Sequence, residues 1–268
     1  MDTKLFYGLK QMPFEKETRF KKTYIFRDMK NVLDRLDYLK QTKGIGVFTG
    51  QPGCGKTYTV RTFANELNPS LYKVVYLQLS TVSVLEFYRQ LAVGLGLEPK
   101  FRKVDLFRQI QDTIRYLTKE KKCTPIIIVD EAQYLSNQIL NDLKLLLNFD
   151  MDSKNYCLLI LIGQSTLNGI LKKHIHDALR QRIIINYDLE GISREEAKEY
   201  IEHCLKQSGA NVPIFSEEAI EAVYSIGQGS LRKMNNILTK CLIEGANEEA
   251  RVIDAEIVLK AHDEVELT

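Results

Sequence analysis

The run from residue 50 to residue 57, GQPGCGKT, has the spacing G-x-x-x-x-G-K-[ST] of a loop that binds phosphate groups. Its glycines lack a Cβ, so successive backbone N–H groups can turn towards phosphate oxygens. Lys56 would reach the outer phosphates of a nucleotide, and the Thr57 hydroxyl would ligate Mg²⁺. The alternative is a glycine-rich turn that caps a helix without a ligand. We predict nucleotide contacts from Gly50, Gln51, Pro52, Gly53, Cys54, Gly55, Lys56, Thr57 and Tyr58.

Two adjacent carboxylates, Asp130 and Glu131, follow the unbroken β-branched run at residues 126–129. A carboxylate at the end of a buried strand beside the phosphate loop can hold Mg²⁺. Glu131 can then polarise the attacking water as a general base, which predicts hydrolysis rather than nucleotide binding alone. The alternatives are a surface pair that merely ends a strand, and a scaffold that binds ATP and hardly turns it over.

A polar turn follows the apolar run at residues 157–162 and begins Gly163-Gln164-Ser165. A polar side chain there would sit between the acidic strand and the outer phosphate. Gln164 is the first candidate to orient the attacking water, and Ser165 is the second. An ordinary polar turn without a function is the alternative.

Three arginines have spacings that suit contacts with a phosphate. Arg180 and Arg182 precede the last predicted strand, where an arginine can supply positive charge to the nucleotide of a neighbouring subunit. We favour Arg182 over Arg180, and surface ion pairs are the alternative for both. Arg232 lies in the first turn of a predicted helix, where the helix dipole disfavours a cation unless an anion is close. We therefore predict that Arg232 contacts the nucleotide.

The elements that must position these residues alternate between strands and helices. Short apolar strands are predicted at residues 44–49, 73–79, 126–129, 158–162 and 182–187, with helices between them. This order predicts an α/β fold with a parallel sheet flanked by helices. After residue 188 only helices are predicted, and Ser193 with Glu196 forms a capping box at the start of the first. We expect an N-terminal linker and helix (1–43), a nucleotide-binding α/β core (44–190) and a small all-helical lid (191–268).

The composition is that of an ordinary soluble globular chain of 268 residues with a net charge of +2. No apolar run approaches the ~20 residues that span a bilayer, and the N-terminus has no apolar signal region. Five cysteines lack metal-ligand spacing, and one lies inside the phosphate loop, which suits a reducing compartment. We expect a cytoplasmic protein without a membrane partner.

The runs GQPGCGKT, IIIVDEAQ, LIGQSTL, LRQRI and GSLRKMNNIL occur in the order and spacing of the ExeA-type AAA+ ATPases, which this chain resembles over essentially its whole length. The opening FYGL, followed by Pro13-Phe14, resembles the start of that group. The chain is also similar to the ATPase subunits of transposition systems, of the TnsC, MuB and IstB kind. The sequence runs no further than the lid, so we expect a free-standing ATPase rather than a secretion component.

The resemblance implies an activity and partners. Such proteins bind ATP with Mg²⁺, assemble into rings or helical filaments on duplex DNA, and recruit a transposase to a target site. By position, Lys56, Thr57, Asp130, Glu131, Gln164, Arg182 and Arg232 take the Walker, sensor and finger roles, and Phe14 or Tyr24 is expected beside the adenine. A secretion-type ATPase that acts on protein partners and a helicase loader are the alternatives.

Contacts with the DNA backbone require Lys or Arg on one face and no base-reading code. Two basic clusters precede the Asp130 strand, in a segment that faces the central pore in related ATPases, and a solvated surface is the alternative for both. The candidate residues are Lys100, Arg102 and Lys103 in the first cluster, and Lys119, Lys121 and Lys122 in the second.

Overall fold

The computed structural model describes residues 2–15, 22–78, 83–151 and 153–263. The chain divides into two compact units, neither of which is continuous in sequence. The sheet unit contains residues 31–50 and 56–189, and the helical unit contains residues 1–30, 51–55 and 190–268. The three-part division expected from the sequence stays a prediction.

Five strands form one parallel sheet in the order β2-β3-β4-β1-β5. They are β1 (Gly44–Gly50), β2 (Tyr72–Gln78), β3 (Thr124–Asp130), β4 (Leu158–Ile162) and β5 (Ile183–Leu189). Every residue of β1 and β4 is buried, as are residues 125–130 of β3. Continuous apolar runs suit this position because a central parallel strand is covered on both faces. The predicted α/β class and parallel sheet are confirmed.

Twelve α-helices and two short 3₁₀ turns form in the described residues. The 3₁₀ turns cover Ala132–Tyr134 and His174–His176. The α-helices are α1 (Thr3–Tyr7), α2 (Arg27–Thr42), α3 (Lys56–Glu66), α4 (Val84–Gly94), α5 (Lys103–Lys119), α6 (Asn137–Leu146), α7 (Thr166–Leu171), α8 (Asp177–Arg180), α9 (Arg194–Gln207), α10 (Glu217–Gly227), α11 (Leu231–Asn247) and α12 (Ala255–Asp263).

The core of the sheet unit packs β-strand side chains against helices α4, α5 and α6. Helix α5 shows how the sequence directs this packing, because Leu106, Ile110 and Ile114 recur at the spacing that places them on one buried face. None of the helices in the described residues is both long enough and apolar enough to cross a bilayer.

In the helical unit, serine side chains fix where three helices begin. Ser193 forms the predicted capping box with Glu196 at the start of α9. Ser216 accepts from the backbone of Ala219 at the start of α10, and Ser230 accepts from Lys233 at the start of α11. Such caps satisfy N–H groups that have no partner inside the helix, and each contributes about 1 kcal/mol.

A buried carboxylate ties together two distant segments of the helical unit. Asp28 is 3% exposed, and its Oδ2 accepts the backbone N–H groups of Glu190 (2.7 Å) and Gly191 (3.0 Å). Burial of an ionised carboxylate requires such donors. Asp28 therefore fixes the backbone of the two residues that follow β5. The sequence did not indicate this role for Asp28.

Candidate active site

The topology of the sheet brings three loops to one edge. In the sheet unit, β1 pairs with β4 and β4 pairs with β3, all parallel, so their carboxyl ends lie side by side. Gly50, Asp130 and Ile162 are the last residues of these strands. Open parallel sheets bind ligands at the carboxyl ends of their strands. The predicted site residues that follow these three strands therefore lie where such folds bind ligands.

The side chains of Lys56 and Thr57, in the first turn of α3, are oriented by the strand ends. Lys56 Nζ donates to the Gly50 carbonyl oxygen at 2.8 Å. Thr57 Oγ1 donates to Asp130 Oδ2 at 2.9 Å. The structure therefore brings together the two predicted Mg²⁺ ligands, which lie 73 residues apart in sequence.

Asp130 has further partners that the sequence did not indicate. The Tyr76 hydroxyl, on the neighbouring strand β2, donates to Asp130 Oδ2 at 2.7 Å. Oδ1 accepts the backbone N–H of Glu131 at 2.8 Å. Partial burial, and then the hydrogen bond and negative charge of Asp130, raise the pKa of the Tyr76 phenol well above its usual range. Tyr76 is therefore a protonated donor at neutral pH.

The oxygens of Thr57 and Asp130 fit a magnesium ion. Mg²⁺ prefers hard oxygen ligands, such as the Thr57 hydroxyl and the Asp130 carboxylate. Thr57 Oγ1 and Asp130 Oδ2 form a hydrogen bond of 2.9 Å, so the two oxygens are close enough to hold one ion, directly or through one of its waters. Among the described residues there is no group of three or more His, Cys, Asp or Glu side chains that could hold a metal ion.

Glu131 has a left-handed backbone conformation, with φ 53° and ψ 38°. This conformation costs a non-glycine residue on the order of 1–2 kcal/mol, and such residues concentrate at functional sites. The Glu131 carboxylate oxygen Oε2 accepts a hydrogen bond from Gln133 Nε2 at 2.6 Å. The predicted base is thus held in a local turn immediately after the predicted metal ligand.

The residues after β4 are placed by two hydrogen-bond networks. The backbone N–H of Gln164 donates to Gln133 Oε1 at 3.1 Å. Ser165 Oγ donates to Asp188 Oδ1 at 3.1 Å, and that oxygen also accepts from Thr49 Oγ1 at 2.5 Å. Gln164 is therefore linked to the Glu131 turn, whereas Ser165 belongs to a network at the ends of β1 and β5.

The predicted finger arginines contact their own unit. Arg182 is partly buried, and its guanidinium donates to the Lys144 carbonyl oxygen at 2.7 Å. Arg180 is exposed and forms an ion pair with Asp177 at 2.8 Å. These contacts occur within one chain, so the choice between the two arginines stays a prediction.

In the helical unit, the middle of the phosphate loop lies against the start of α11. Ser230 Oγ donates to the Pro52 carbonyl oxygen at 3.2 Å, and the backbone N–H of Arg232 donates to that of Gly53 at 3.4 Å. Gly53 has φ +84°, and a Cβ there would lie 2.3 Å from Ser230 Oγ. Only glycine fits both restraints. The backbone of Arg232 therefore lies beside residues 52 and 53 while its side chain is exposed, and its contact with a nucleotide stays a prediction.

An aromatic ring other than the two predicted ones lies next to this loop. A Cβ on Gly55 would be 3.3 Å from Phe26, which is 2% exposed. Phe14 instead stacks edge-on against Phe215, and the Tyr24 hydroxyl donates to Glu199 at 2.8 Å. The contact of Phe14 or Tyr24 with the adenine stays a prediction. The position of Phe26 depends on tertiary packing, so the sequence could not indicate it.

The basic candidates for DNA contacts lie at opposite ends of α5, whose 17 residues span about 25 Å. At its start, Lys100 and Arg102 are exposed, and Lys103 pairs with Asp142 at 2.5 Å. At its end, Lys121 and Lys122 are exposed, and Lys119 pairs with Asp150 at 3.5 Å. The structure therefore separates the two clusters rather than joining them into one patch.

Comparisons with known proteins match the part of the chain that contains these residues. The family described as "AAA domain" matches residues 39–171, which include the phosphate loop, Asp130, Glu131 and Gln164. General secretion pathway protein A of Aeromonas hydrophila is 29% identical over 96% of this chain and 48% of its own length. ATP-dependent target DNA activator B of Escherichia phage Mu is 29% identical over 44% of this chain and 36% of its own length. The chain spans about half the length of the curated relatives it matches, or less.

Among solved structures, Cdc6p from Pyrobaculum aerophilum superposes with a TM-score of 0.72 over 94% of this chain and 70% of that protein. The sequence identity is 16%, so this likeness concerns the fold.

Proposed function

We propose that this chain is an AAA+ ATPase that couples ATP hydrolysis to oligomerisation on duplex DNA, where it recruits or activates a transposase. The match of the AAA domain family to residues 39–171 supports the ATPase part of the proposal, and the DNA, the oligomer and the transposase go beyond that match. The partial similarity to the DNA activator of phage Mu supports the choice of partner.

The contact between Thr57 and Asp130 is the observation that supports the nucleotide part of the proposal, because the two proposed Mg²⁺ ligands meet directly before Glu131. Magnesium, when bound, would neutralise charge on the transferring phosphoryl group. Lys56 balances charge on the outer phosphates, and Glu131 takes a proton from the attacking water. We assign Gln164, which follows β4, to orient that water.

Arg232 adds a positive charge beside the middle of the phosphate loop. Its backbone is bound to Gly53, its side chain is exposed, and its guanidinium forms no ion pair with any residue that the structure describes. A cation in the first turn of a helix is unfavourable without an anion. We propose that phosphate groups held by residues 51–55 provide that anion, and that Arg182, or Arg180, reaches the nucleotide of a neighbouring copy.

The start of α5 is the better of the two candidate DNA surfaces. Phe101, 88% exposed, lies between the exposed Lys100 and Arg102. An exposed aromatic ring among cations suits a nucleic acid, because phosphates attract the cations and bases or sugars contact the ring. The second cluster also has an exposed ring, since Lys121 Nζ lies 5.7 Å from the centre of Tyr116, which is 50% exposed. Its charge is reduced by Glu120, and it lies just before the amino end of β3, at the sheet edge opposite Asp130.

An ATPase that acts on protein partners is the second candidate function. It is favoured by the similarity to a general secretion pathway protein, which extends over 96% of this chain. The two candidates make opposite predictions for the effect of DNA on ATP turnover.

The test measures ATP turnover with and without duplex DNA at low and high salt, for the wild-type chain and for Glu131→Gln. We expect DNA to change turnover, and the change to fade as salt rises, because phosphate contacts release counterions. Glu131→Gln should bind DNA with ATP present and should not turn ATP over. The double variant Lys100→Gln/Arg102→Gln should respond to DNA less than Lys121→Gln/Lys122→Gln does.

If turnover ignores DNA at low salt, and Glu131→Gln shows no ATP-dependent DNA binding, the DNA proposal is wrong. The protein-partner function would then stand. If Glu131→Gln turns ATP over at the wild-type rate, the assignment of the base is wrong.

A further inference from the structure

The side-chain amide of Gln133 joins two segments of the sheet unit. Its Nε2 donates to Glu131 Oε2 at 2.6 Å, and its Oε1 accepts the backbone N–H of Gln164 at 3.1 Å. Glu131 directly follows β3. Gln164 comes after β4 and lies 31 residues beyond Gln133 in the sequence. One amide therefore spans from the proposed base to the loop of the proposed water-orienting residue.

Chemistry fixes the orientation of this amide. A carboxylate only accepts hydrogen bonds, and a backbone N–H only donates them. If the amide were turned over, its oxygen would face the Glu131 carboxylate and its NH₂ group would face the Gln164 N–H. Both contacts would be repulsive, so only the observed orientation satisfies the two partners.

The surroundings leave room for the amide. A Cβ on Gly163 would lie 2.7 Å from Gln133 Oε1, a distance that requires one of the groups to move. Gly163 has no requirement for a left-handed backbone, since its φ lies outside the positive range. The space beside Gly163 is therefore filled by the carbonyl end of Gln133.

We infer that Gln133 is a positioning residue, which holds the Glu131 carboxylate and couples its orientation to the loop that follows β4. A shift of Gln164 on contact with a nucleotide would pull on the amide, and the amide would move the base. This inference rests on the proposed role of Glu131 as the base. It assigns Gln133 an effect on the chemical step and none on the binding of ATP.

The first test compares kcat and KM for ATP among variants of Gln133. Gln133→Glu keeps the shape of the side chain and replaces the donor with a carboxylate that faces Glu131. Gln133→Leu removes both hydrogen bonds at similar volume. We expect kcat to fall about tenfold in each, since a small misplacement of a catalytic group costs one to two orders of magnitude. KM should stay within about twofold, because the ATP contacts remain.

The matched control is Gln138→Leu. Gln138 is an exposed glutamine in the first turn of α6, so this variant should keep the wild-type kcat.

A second test disturbs the amide from the opposite side and leaves Gln133 in place. Gly163→Ala adds the methyl group that meets Gln133 Oε1. We expect a fall in kcat of the same size as in Gln133→Leu. The double variant Gly163→Ala/Gln133→Leu should fall no further than either single variant, because residues that act as a unit are not additive.

The controls separate this inference from the proposed function. If Glu131→Gln abolishes turnover while Gln133→Glu and Gly163→Ala keep the wild-type kcat, the positioning role is wrong and the base stands. If Glu131→Gln keeps turnover, the base itself is wrong. A rise in KM with kcat unchanged would also overturn the inference, since it would place Gln133 in ATP binding.

Discussion

The carboxyl edge of the sheet and the two ends of α5 both carry many charged groups, but these groups differ in burial and in hydrogen bonding. At the sheet edge, Thr57, Tyr76 and the Glu131 backbone all donate to Asp130, which is 4% exposed. At the ends of α5, most of the basic side chains extend into solvent. The groups of the first region are held by hydrogen bonds to one another, whereas most of the cations of the second region are exposed.

This difference predicts how strongly each region responds to a single change. In a fixed arrangement of catalytic groups, the loss of one group reduces turnover strongly, because the arrangement as a whole stabilises the transition state. Exposed cations act independently and are screened by salt, so each contributes little.

The largest effect is expected at Lys56. Lys56→Ala removes the charge that faces the outer phosphates, so ATP turnover should fall by at least about 100-fold, as when a fixed charge-stabilising donor is lost. Phosphate release and binding of a fluorescent ATP analogue measure this. Lys173→Ala, an exposed lysine of the same unit, is the control. Turnover within about tenfold of the wild-type rate would show that Lys56 contributes little to catalysis.

The next effect is expected at Gly53. In Gly53→Ala the new Cβ would lie 2.3 Å from Ser230 Oγ, on a backbone with φ +84°. We expect a loss of on the order of 1–3 kcal/mol in stability, together with weaker ATP binding. Thermal unfolding with and without ATP measures both. Gly169→Ala is the matched control, because a Cβ at Gly169 in α7 meets nothing within 4 Å, and the helix should gain about 1 kcal/mol. Equal midpoints for the two variants would contradict the proposed close approach.

A smaller effect is expected at Tyr76. Tyr76→Phe removes the hydroxyl that donates to Asp130 Oδ2 and leaves the ring. The Mg²⁺ concentration that gives half-maximal turnover should rise about tenfold, since partners that orient a metal ligand contribute this much.

The pH dependence gives an internal check on Tyr76. Partial burial first, and then the Asp130 carboxylate, raise the pKa of the phenol above its usual range, so the hydroxyl stays protonated as pH rises. The difference between wild type and Tyr76→Phe should therefore persist from about pH 7 to about pH 10.5, across the ordinary phenol pKa of ~10. A difference that falls by half near about pH 10 would show that the phenol ionises at its ordinary pKa and that the assigned cause is wrong.

The smallest effect is expected at the start of α5. Lys100→Gln/Arg102→Gln should weaken DNA binding several-fold and lower the slope of log affinity against log salt by up to about 2. Fluorescence anisotropy with duplex DNA at several salt concentrations measures this. Basal ATP turnover should not change, because these side chains lie outside the phosphate site. An unchanged slope would remove this cluster from the DNA interface.

Much of the sheet unit follows from local sequence patterns. The runs at residues 44–49, 126–129 and 158–162 predicted strands that the structure contains, because continuous β-branched and apolar residues suit strands covered on both faces. The short helices α1, α7 and α8 were not predicted, since four to six residues show too little periodicity. Helix α5 extends at both ends beyond its buried apolar residues Leu106, Ile110 and Ile114, because polar residues continue a helix without extending its apolar face.

The sequence by itself determined the phosphate loop, the acidic pair and the order of strands and helices, because each of these depends on residues that are close in sequence. Only the tertiary structure decided that Tyr76 donates to Asp130, that Gln133 joins Glu131 to Gln164, and that Ser230 lies against the loop at Pro52. Such contacts depend on strand order and on helix packing. A hydrogen bond forms only where donor and acceptor meet within about 3 Å, a distance that spacing along the chain does not specify.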